Sequence, residues 1–239
     1  MVEPLNWDSE FFGKRIGAVT QTWTPESVAE DMRSARQQQY DYLISRPPVD
    51  DASAVRALEH VGFYLTDLGV TWFSNVKQYL READRPSAAA RHATEVDIPW
   101  LRDAAVALFP LSRFYHDPFY SRADADRLHA AWLANSVRGQ AADAVLMIPE
   151  AGFVTCKIAK DGAGEIVLIG VVNGSRQRGA GRALMTAALD WFAARSVATV
   201  RVKTQVKNLQ AMNFYHRLRF DLHSTDMTMG CILSNEGAR

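Results

Sequence analysis

The stretch VVNGSRQRGAGRALM, residues 171–185, sets Gly179 and Gly181 among Arg176, Arg178 and Arg182, just after an apolar run and just before an alanine-rich segment of helical character. A chain passing there from strand to helix presents unpaired backbone N–H groups at the positive end of a helix dipole. Glycines without a Cβ let a ligand approach the main chain, and the arginines offer charge-assisted contacts. The chemistry served by such a segment is anion binding, and a pyrophosphate fits it. Two other phosphate loops are excluded. Gly174, Gly179 and Gly181 do not have the spacing of the dinucleotide-binding fingerprint, and no Lys-Ser/Thr pair follows the glycines as a P-loop requires. A solvated capping loop remains the alternative that these residues alone leave open.

Holding such a loop requires a strand before it and a helix after it. AVLMIP (144–149), FVTCKIA (153–159) and EIVLIGVV (165–172) read as strands, and their connections EAG and KDGAG are short enough for hairpins, so an antiparallel meander is expected. Leu184, Ala188, Trp191 and Phe192 recur at helical spacing over 179–195, and VATVRVKTQV (197–206) is a strand. Strand, helix and strand of these lengths make a right-handed crossover, so the strands on either side of the helix should be parallel. A helix over 209–218 and a strand over 227–233 close the chain.

Upstream, the first third alternates strand and helix signals: 15–23, 40–47 and the LGVTWFSN segment as strands, 26–39 and ASAVRALEHVGF as helices. READRPSAAARHA is charged and poor in apolar residues. The expected organisation is a small α/β domain over 1–80, a linker over 81–92 and a second domain over 93–239, which opens with helices at 97–109 and 124–137.

Composition bounds the function. The 239 residues are 48% hydrophobic and 23% charged, and Lys+Arg and Asp+Glu both number 27. With zero formal charge, no global field draws the chain to nucleic acid or to an acidic membrane. Cys156 and Cys231 are far apart, without a CxxC or a histidine cluster, so buried free thiols and no metal site are expected. The amino-terminal MVEPLNWDSEFFGKR has acidic residues before its basic ones and no apolar core of signal length, and no run is long enough to span a bilayer. A cytoplasmic protein is expected.

Downstream of the glycine loop, TQVKNLQAMNFYHRLRF carries Asn208, Ala211, Tyr215 and Phe220. Together with Arg176, Gly179 and Gly181, in the pattern Q/R-x-x-G-x-G/A, this resembles the GCN5-related N-acetyltransferase (GNAT) superfamily over roughly residues 93–233. The resemblance implies an α/β (α+β) fold with a mixed central sheet, an antiparallel meander and two splayed parallel strands, here preceded by the small α/β domain. It implies acetyl-CoA as co-substrate, without a metal, lying in the opening with its pantetheine along Leu168–Val172. Ile169, Val171, Val172, Arg176, Gln177, Arg178, Gly179, Ala180, Gly181, Arg182, Asn208 and Tyr215 are then the acetyl-CoA-binding set. A backbone N–H near Val171 would stabilise the oxyanion, Asn208 would orient the pantetheine or cap the last helix, and Tyr215 would donate a proton to the departing thiolate. One departure stands out: Arg219 occupies the place of a glycine before Phe220. A left-handed cap there costs about 1 kcal/mol or gives way to another geometry.

LNWDSEFFGKRIG, SRFYHDPFY and LHAAWLANSVRG are further similar to nucleotide-sugar N-acetyltransferases that modify the 4-amine of a dTDP-linked 4-amino-4,6-dideoxyhexose. That resemblance implies a small-molecule partner held by Arg113 at a phosphate and by Phe114, Tyr115 and Phe119 at a base or sugar ring. The same four residues read equally well as a turn between helices with buried aromatics. His116, Asp117 and His216 are candidates for accepting the amine proton, and none is singled out. Other amines (protein, aminoglycoside, polyamine) and a non-catalytic acyl-CoA-binding domain are the competing readings, and association into a homodimer through the last strand stays open.

Overall fold

The computed structural model describes residues 2–20, 22–80, 90–175 and 179–233; the expected contacts of Arg176, Gln177 and Arg178, and most of the expected linker, lie outside the described residues. The strands are β1 (Val2–Pro4), β2 (Ile16–Val19), β3 (Tyr42–Ser45), β4 (Tyr64–Asn75), β5 (Arg91–His92), β6 (Ala144–Ile148), β7 (Gly152–Ile158), β8 (Gly164–Val171), β9 (Thr199–Gln205) and β10 (Asp221–Ile232). The helices are α1 (Asn6–Phe12), α2 (Pro25–Gln37), α3 (Ala52–His60), α4 (Val76–Leu80), α5 (Ile98–Leu108), α6 (Arg122–Val137), α7 (Ala180–Ala193) and α8 (Leu209–Arg217).

Side-chain alternation explains why helices cover both faces of the sheet. In β6, Ala144 and Leu146 join a core with Leu184, Phe192 and Phe220, while Val145 and Met147 join a second core with Leu101, Leu133 and Phe153. In β3, Leu43 faces Val28, Met32 and Leu58, and Tyr42 and Ile44 face Phe12, Tyr120 and Leu128. A strand buried on both sides reads as a continuous apolar run, as AVLMI and YLIS do. Helix α6 contributes Leu128 to one of these cores and Leu133 to another, so its apolar residues surround it rather than forming one stripe. Ser121 starts it with a capping box closed by Asp124.

The ten strands form one sheet in the order β1-β2-β3-β10-β4-β9-β8-β7-β6-β5. The meander β6-β7-β8 is antiparallel and β8 pairs parallel with β9, as the crossover argument requires. The expected boundary at 81–92 separates the chain by order but does not divide the sheet. Strand β4, which precedes it, lies between β9 and β10, which follow it, and pairs antiparallel with both. One element also departs from expectation. The last strand begins at Asp221 rather than 227, because its polar first half is held by pairing with β4. β4 pairs along it from Asp221 to Gly230, while β3 covers its other side only from Met229 to Ile232. Both cysteines are buried free thiols, and burial pushes Cys156 up to about 12 and Cys231 to about 11.

Between Val154 and Cys156 the register of β7 on β8 slips by one residue, a bulge on β8. The Thr155 hydroxyl accepts the Leu168 N–H there at 2.8 Å, in a fully buried position. Thr155→Val keeps the shape and strands that donor, and is expected to lower unfolding free energy by about 1–3 kcal/mol in urea titration.

Candidate active site

Strands β8 and β9 are paired only from Gly164–Val200 to Ile166–Val202. Past Ile166 they part, β9 staying with β4 out to Gln205–Gly69 and β8 staying with β7 out to Val171–Gly152. The bulge at the parting point turns β8 away, and the opening is a cleft of about 1160 Å³. Its floor is Leu168–Val171 and Lys203–Gln205; one wall is Leu108–Ser112 with His129 and Trp132, and the other is Gly179, Gly181, Asn208, Phe214 and Tyr215.

Of the glycine loop, Gly179 and Gly181 line the cleft. Gly179 precedes α7 with φ 83°, a left-handed conformation that a residue with a Cβ rarely adopts, and as the N-cap it brings no side chain to the start of the helix. Its first-turn amides and dipole are therefore directed at the cleft rim, a fit for a phosphate group. A Cβ on Gly181 would come within 3.3 Å of the Phe214 ring, so a small residue there lets α7 close onto α8. Among the described basic residues lining the cleft, Arg201 is engaged by Glu165 and Asp161, and Lys203 by Asp226.

Helix α8 places the second motif. Asn208 caps it, its Oδ1 accepting the Ala211 N–H at 3.1 Å, and it also borders the cleft. About two turns on, Tyr215 is 3% exposed and lines the cleft, with Trp72 and Phe220 rings about it. Burial raises its phenol above the ordinary value, so it carries its proton throughout the physiological range. The helix ends with Arg219 in the left-handed conformation, φ 58°. The Phe220 N–H donates to Tyr215 O and the Arg219 N–H to His216 O, which closes a Schellman motif without the usual glycine. Arg219→Gly is expected to raise unfolding free energy by about 0.5–1 kcal/mol, read as a higher urea midpoint at unchanged slope.

Of the acetyl-CoA-binding set, Ile169, Val171, Gly179, Gly181, Arg182, Asn208 and Tyr215 line the cleft. Ala180 is the first residue of α7, and the Val172 N–H donates to Ala151 O. Arg113, Phe114, Tyr115 and Phe119 come together beside the cleft rather than on its described lining. The Arg113 guanidinium lies 4.1 Å over Phe114 and 3.9 Å from Asp117, with its side chain 12% exposed. Phe119 stacks on Tyr42 at 4.2 Å, and the Tyr115 hydroxyl donates to Asp126 at 2.7 Å. Asp117 is buried, accepting from the hydroxyls of Tyr42 and of Tyr64 (2.8 Å) and from the Phe119 N–H. His116 and His216 are exposed and off the cleft lining.

Sequence reasoning passed over His129, a wall residue of the cleft. A single histidine within a helical pattern carries no spacing signal. No group of three or more potential metal ligands occurs among the described residues, and no helix among them is long and apolar enough to cross a membrane.

The sequence profile of the Acetyltransferase (GNAT) family matches residues 105–220. Over 236 residues, 94% of this chain and 95% of the relative, the chain is 31% identical to a dTDP-fucosamine acetyltransferase of Escherichia coli O6:H1. A mycothiol acetyltransferase of Saccharopolyspora erythraea is 35% identical over 79 residues, 33% of this chain and 26% of that protein. Among solved structures, a functionally unknown conserved protein from Staphylococcus epidermidis superposes with a TM-score of 0.66 at 13% identity, covering 92% of this chain and 85% of that one. A GCN5-related N-acetyltransferase from Sphaerobacter thermophilus gives 0.57 at 15%, covering 86% and 66%. With the splayed strands, the glycine at the start of α7 and full-length similarity to an acetyltransferase all present, this chain belongs to the GNAT family and is an acetyltransferase.

Proposed function

We propose that the protein transfers the acetyl group of acetyl-CoA to the 4-amine of a dTDP-linked 4-amino-4,6-dideoxyhexose. The observation that carries this reading is the similarity to the dTDP-fucosamine acetyltransferase along 94% of the chain, residues before the glycine loop included. The family uses acetyl-CoA, which supplies the activated acetyl thioester.

The residues present fit that co-substrate. The amides at the start of α7 would hold the pyrophosphate, and Leu168–Val171, unpaired with β9, would offer their edge to the pantetheine. Tyr215 holds its proton and, lining the cleft, would offer it to the departing sulfur. An ordinary thiol has a pKa of about 8.5, below even an unperturbed phenol at about 10, so full transfer from this tyrosine is uphill. Its contribution is a hydrogen bond that strengthens as charge develops on sulfur. For the nucleotide sugar, the Arg113–Tyr115 and Phe119 patch next to Ser112 is the proposed contact, which takes up the phosphate and ring roles named above. A cytoplasmic location is part of the proposal.

Thiol release from acetyl-CoA, measured against a panel of dTDP-4-amino-4,6-dideoxyhexoses, free amino sugars, aminoglycosides, polyamines and peptide amines, tests the acceptor. Turnover confined to the dTDP sugars is expected. Faster turnover with another amine would discard the sugar and keep the family chemistry, and tight acetyl-CoA binding with no turnover would favour a non-catalytic role.

A further inference from the structure

Amine acetylation needs a neutral nucleophile, yet an amino group with a pKa of about 8 arrives mostly as ammonium at neutral pH. Some group in the cleft must take that proton or the enzyme must wait for the rare neutral amine. Among the described lining residues, the side chains with a basic lone pair of suitable strength are Glu165 and His129. Glu165 sits where β8 and β9 are still paired and is held by the Arg201 guanidinium at 2.7 and 3.0 Å. That leaves His129.

The ring of His129 is built for the task. It is 2% exposed and enclosed by Phe109 and Tyr115, whose ring centroids lie 5.9 and 5.3 Å away at small interplanar angles, with Phe114 edge-on at 6.3 Å. Its Nδ1 lies 2.7 Å from the Ala125 carbonyl, one turn back on α6. A carbonyl only accepts, so in the neutral ring Nδ1 bears the hydrogen and Nε2 bears the lone pair. On the opposite edge of the ring, Nε2 meets no donor among the described residues and is not among the fully buried polar atoms lacking a partner. His129 lines the cleft, and Nε2 is the acceptor its ring has left to offer there. The nearby charge is Asp126 on the same helix, already engaged by the Tyr115 hydroxyl, while Phe109 and Phe114 contribute only rings.

We infer that His129 is the general base of the reaction, its Nε2 accepting the proton that the acceptor ammonium loses before attack. The neutral amine then forms the C–N bond as the C–S bond breaks, and the electron pair leaves with sulfur. The nitrogen's second proton balances the thiolate, reaching it by way of the cleft where Tyr215 lies. His129 passes its own proton to solvent. Burial lowers the His129 pKa below its ordinary 6.5, which keeps the ring neutral and ready to accept at neutral pH. The inference rests on the acetyltransferase reading and is independent of which amine is the acceptor.

The test is the pH profile of kcat/KM for wild type and His129→Gln, using the best acceptor of the amine panel. In the wild type the acid limb should fall below pH about 6.5, where His129 gains a proton. In the variant only free amine reacts, so the limb should move up to the amine's own pKa. The loss should be about tenfold near pH 7 and shrink to within about twofold near pH 9, with acetyl-CoA affinity unchanged. A variant whose loss is equal at all pH values, or whose acid limb stays where the wild type has it, would overturn the inference. Should the variant fold poorly, NMR titration of His129 in the wild-type complex with CoA decides: the ring's pKa must coincide with the acid limb, and a mismatch overturns the role. A wild type inactive on every amine refutes the enzyme reading itself and the base with it, whereas an active wild type with an unshifted variant refutes the base alone.

Discussion

Tyr215→Phe is expected to lower kcat by about 10²-fold while the KM for acetyl-CoA stays within about twofold. The phenyl ring keeps its contacts with Trp72 and Phe220, so fold and cleft persist and only the hydroxyl is lost. Because that hydroxyl hydrogen-bonds a sulfur on which charge appears only as the C–S bond breaks, its removal weakens the transition state and spares the ground state. The pH dependence separates this from titratable acid catalysis. Burial raises the phenol, so the wild-type rate should show no alkaline fall assignable to Tyr215 below pH about 10. Steady-state kinetics of both proteins across the pH range checks it; an unchanged kcat in the variant would remove Tyr215 from the mechanism.

Asp117→Ala should have the largest effect on stability. Its carboxylate receives the hydroxyls of Tyr42 on β3 and Tyr64 on β4 and faces Arg113 at 3.9 Å, so it ties the first eighty residues to the segment before α6. The alanine leaves the buried Tyr42 and half-buried Tyr64 phenols without their acceptor and takes a nearby carboxylate from Arg113. Breaking a buried charge arrangement of this kind costs about 3–5 kcal/mol, or roughly 6–20 °C in Tm for a chain of this size. Asp117→Asn, which still accepts from one phenol, should lose less. Thermal unfolding of the two variants ranks them, and equal Tm values to wild type would show that the network is not holding the halves together.

Much of this architecture was legible in the residues. The meander and the crossover follow from hairpin-length connections and the switch between periods of two and 3.6, and the glycine turn followed from spacing alone. The boundary between halves was not legible in the same way. Nothing local in YLTDLGVTWFSN tells that its neighbours will be β9 and β10, since pairing partners are chosen by the closed sheet and not by a motif. Helix α1 lacked a start signal because Leu5 gives no side-chain cap, although Gly13 ends it in the left-handed conformation. The polar DLHSTD half of β10 has no apolar alternation to betray a strand. Arg219 kept the cap geometry that its type disfavours, since the two Schellman hydrogen bonds and the burial of Phe220 outweigh a cost of about 1 kcal/mol. At the site, Tyr215 and Asn208 both line the cleft, whereas the role inferred for His129 depends on a wall folded over from Leu108–Ser112 and on a carbonyl one turn away, neither of which is written in its neighbours.

The most direct measurement is the structure of the product formed from acetyl-CoA and a dTDP-linked 4-amino-4,6-dideoxyhexose, by mass spectrometry and NMR of the purified nucleotide sugar. The expected product carries one acetyl group as an amide on the C4 nitrogen, with one equivalent of free CoA. An unchanged nucleotide sugar, in a reaction where the same enzyme acetylates a different amine, would contradict the proposed acceptor.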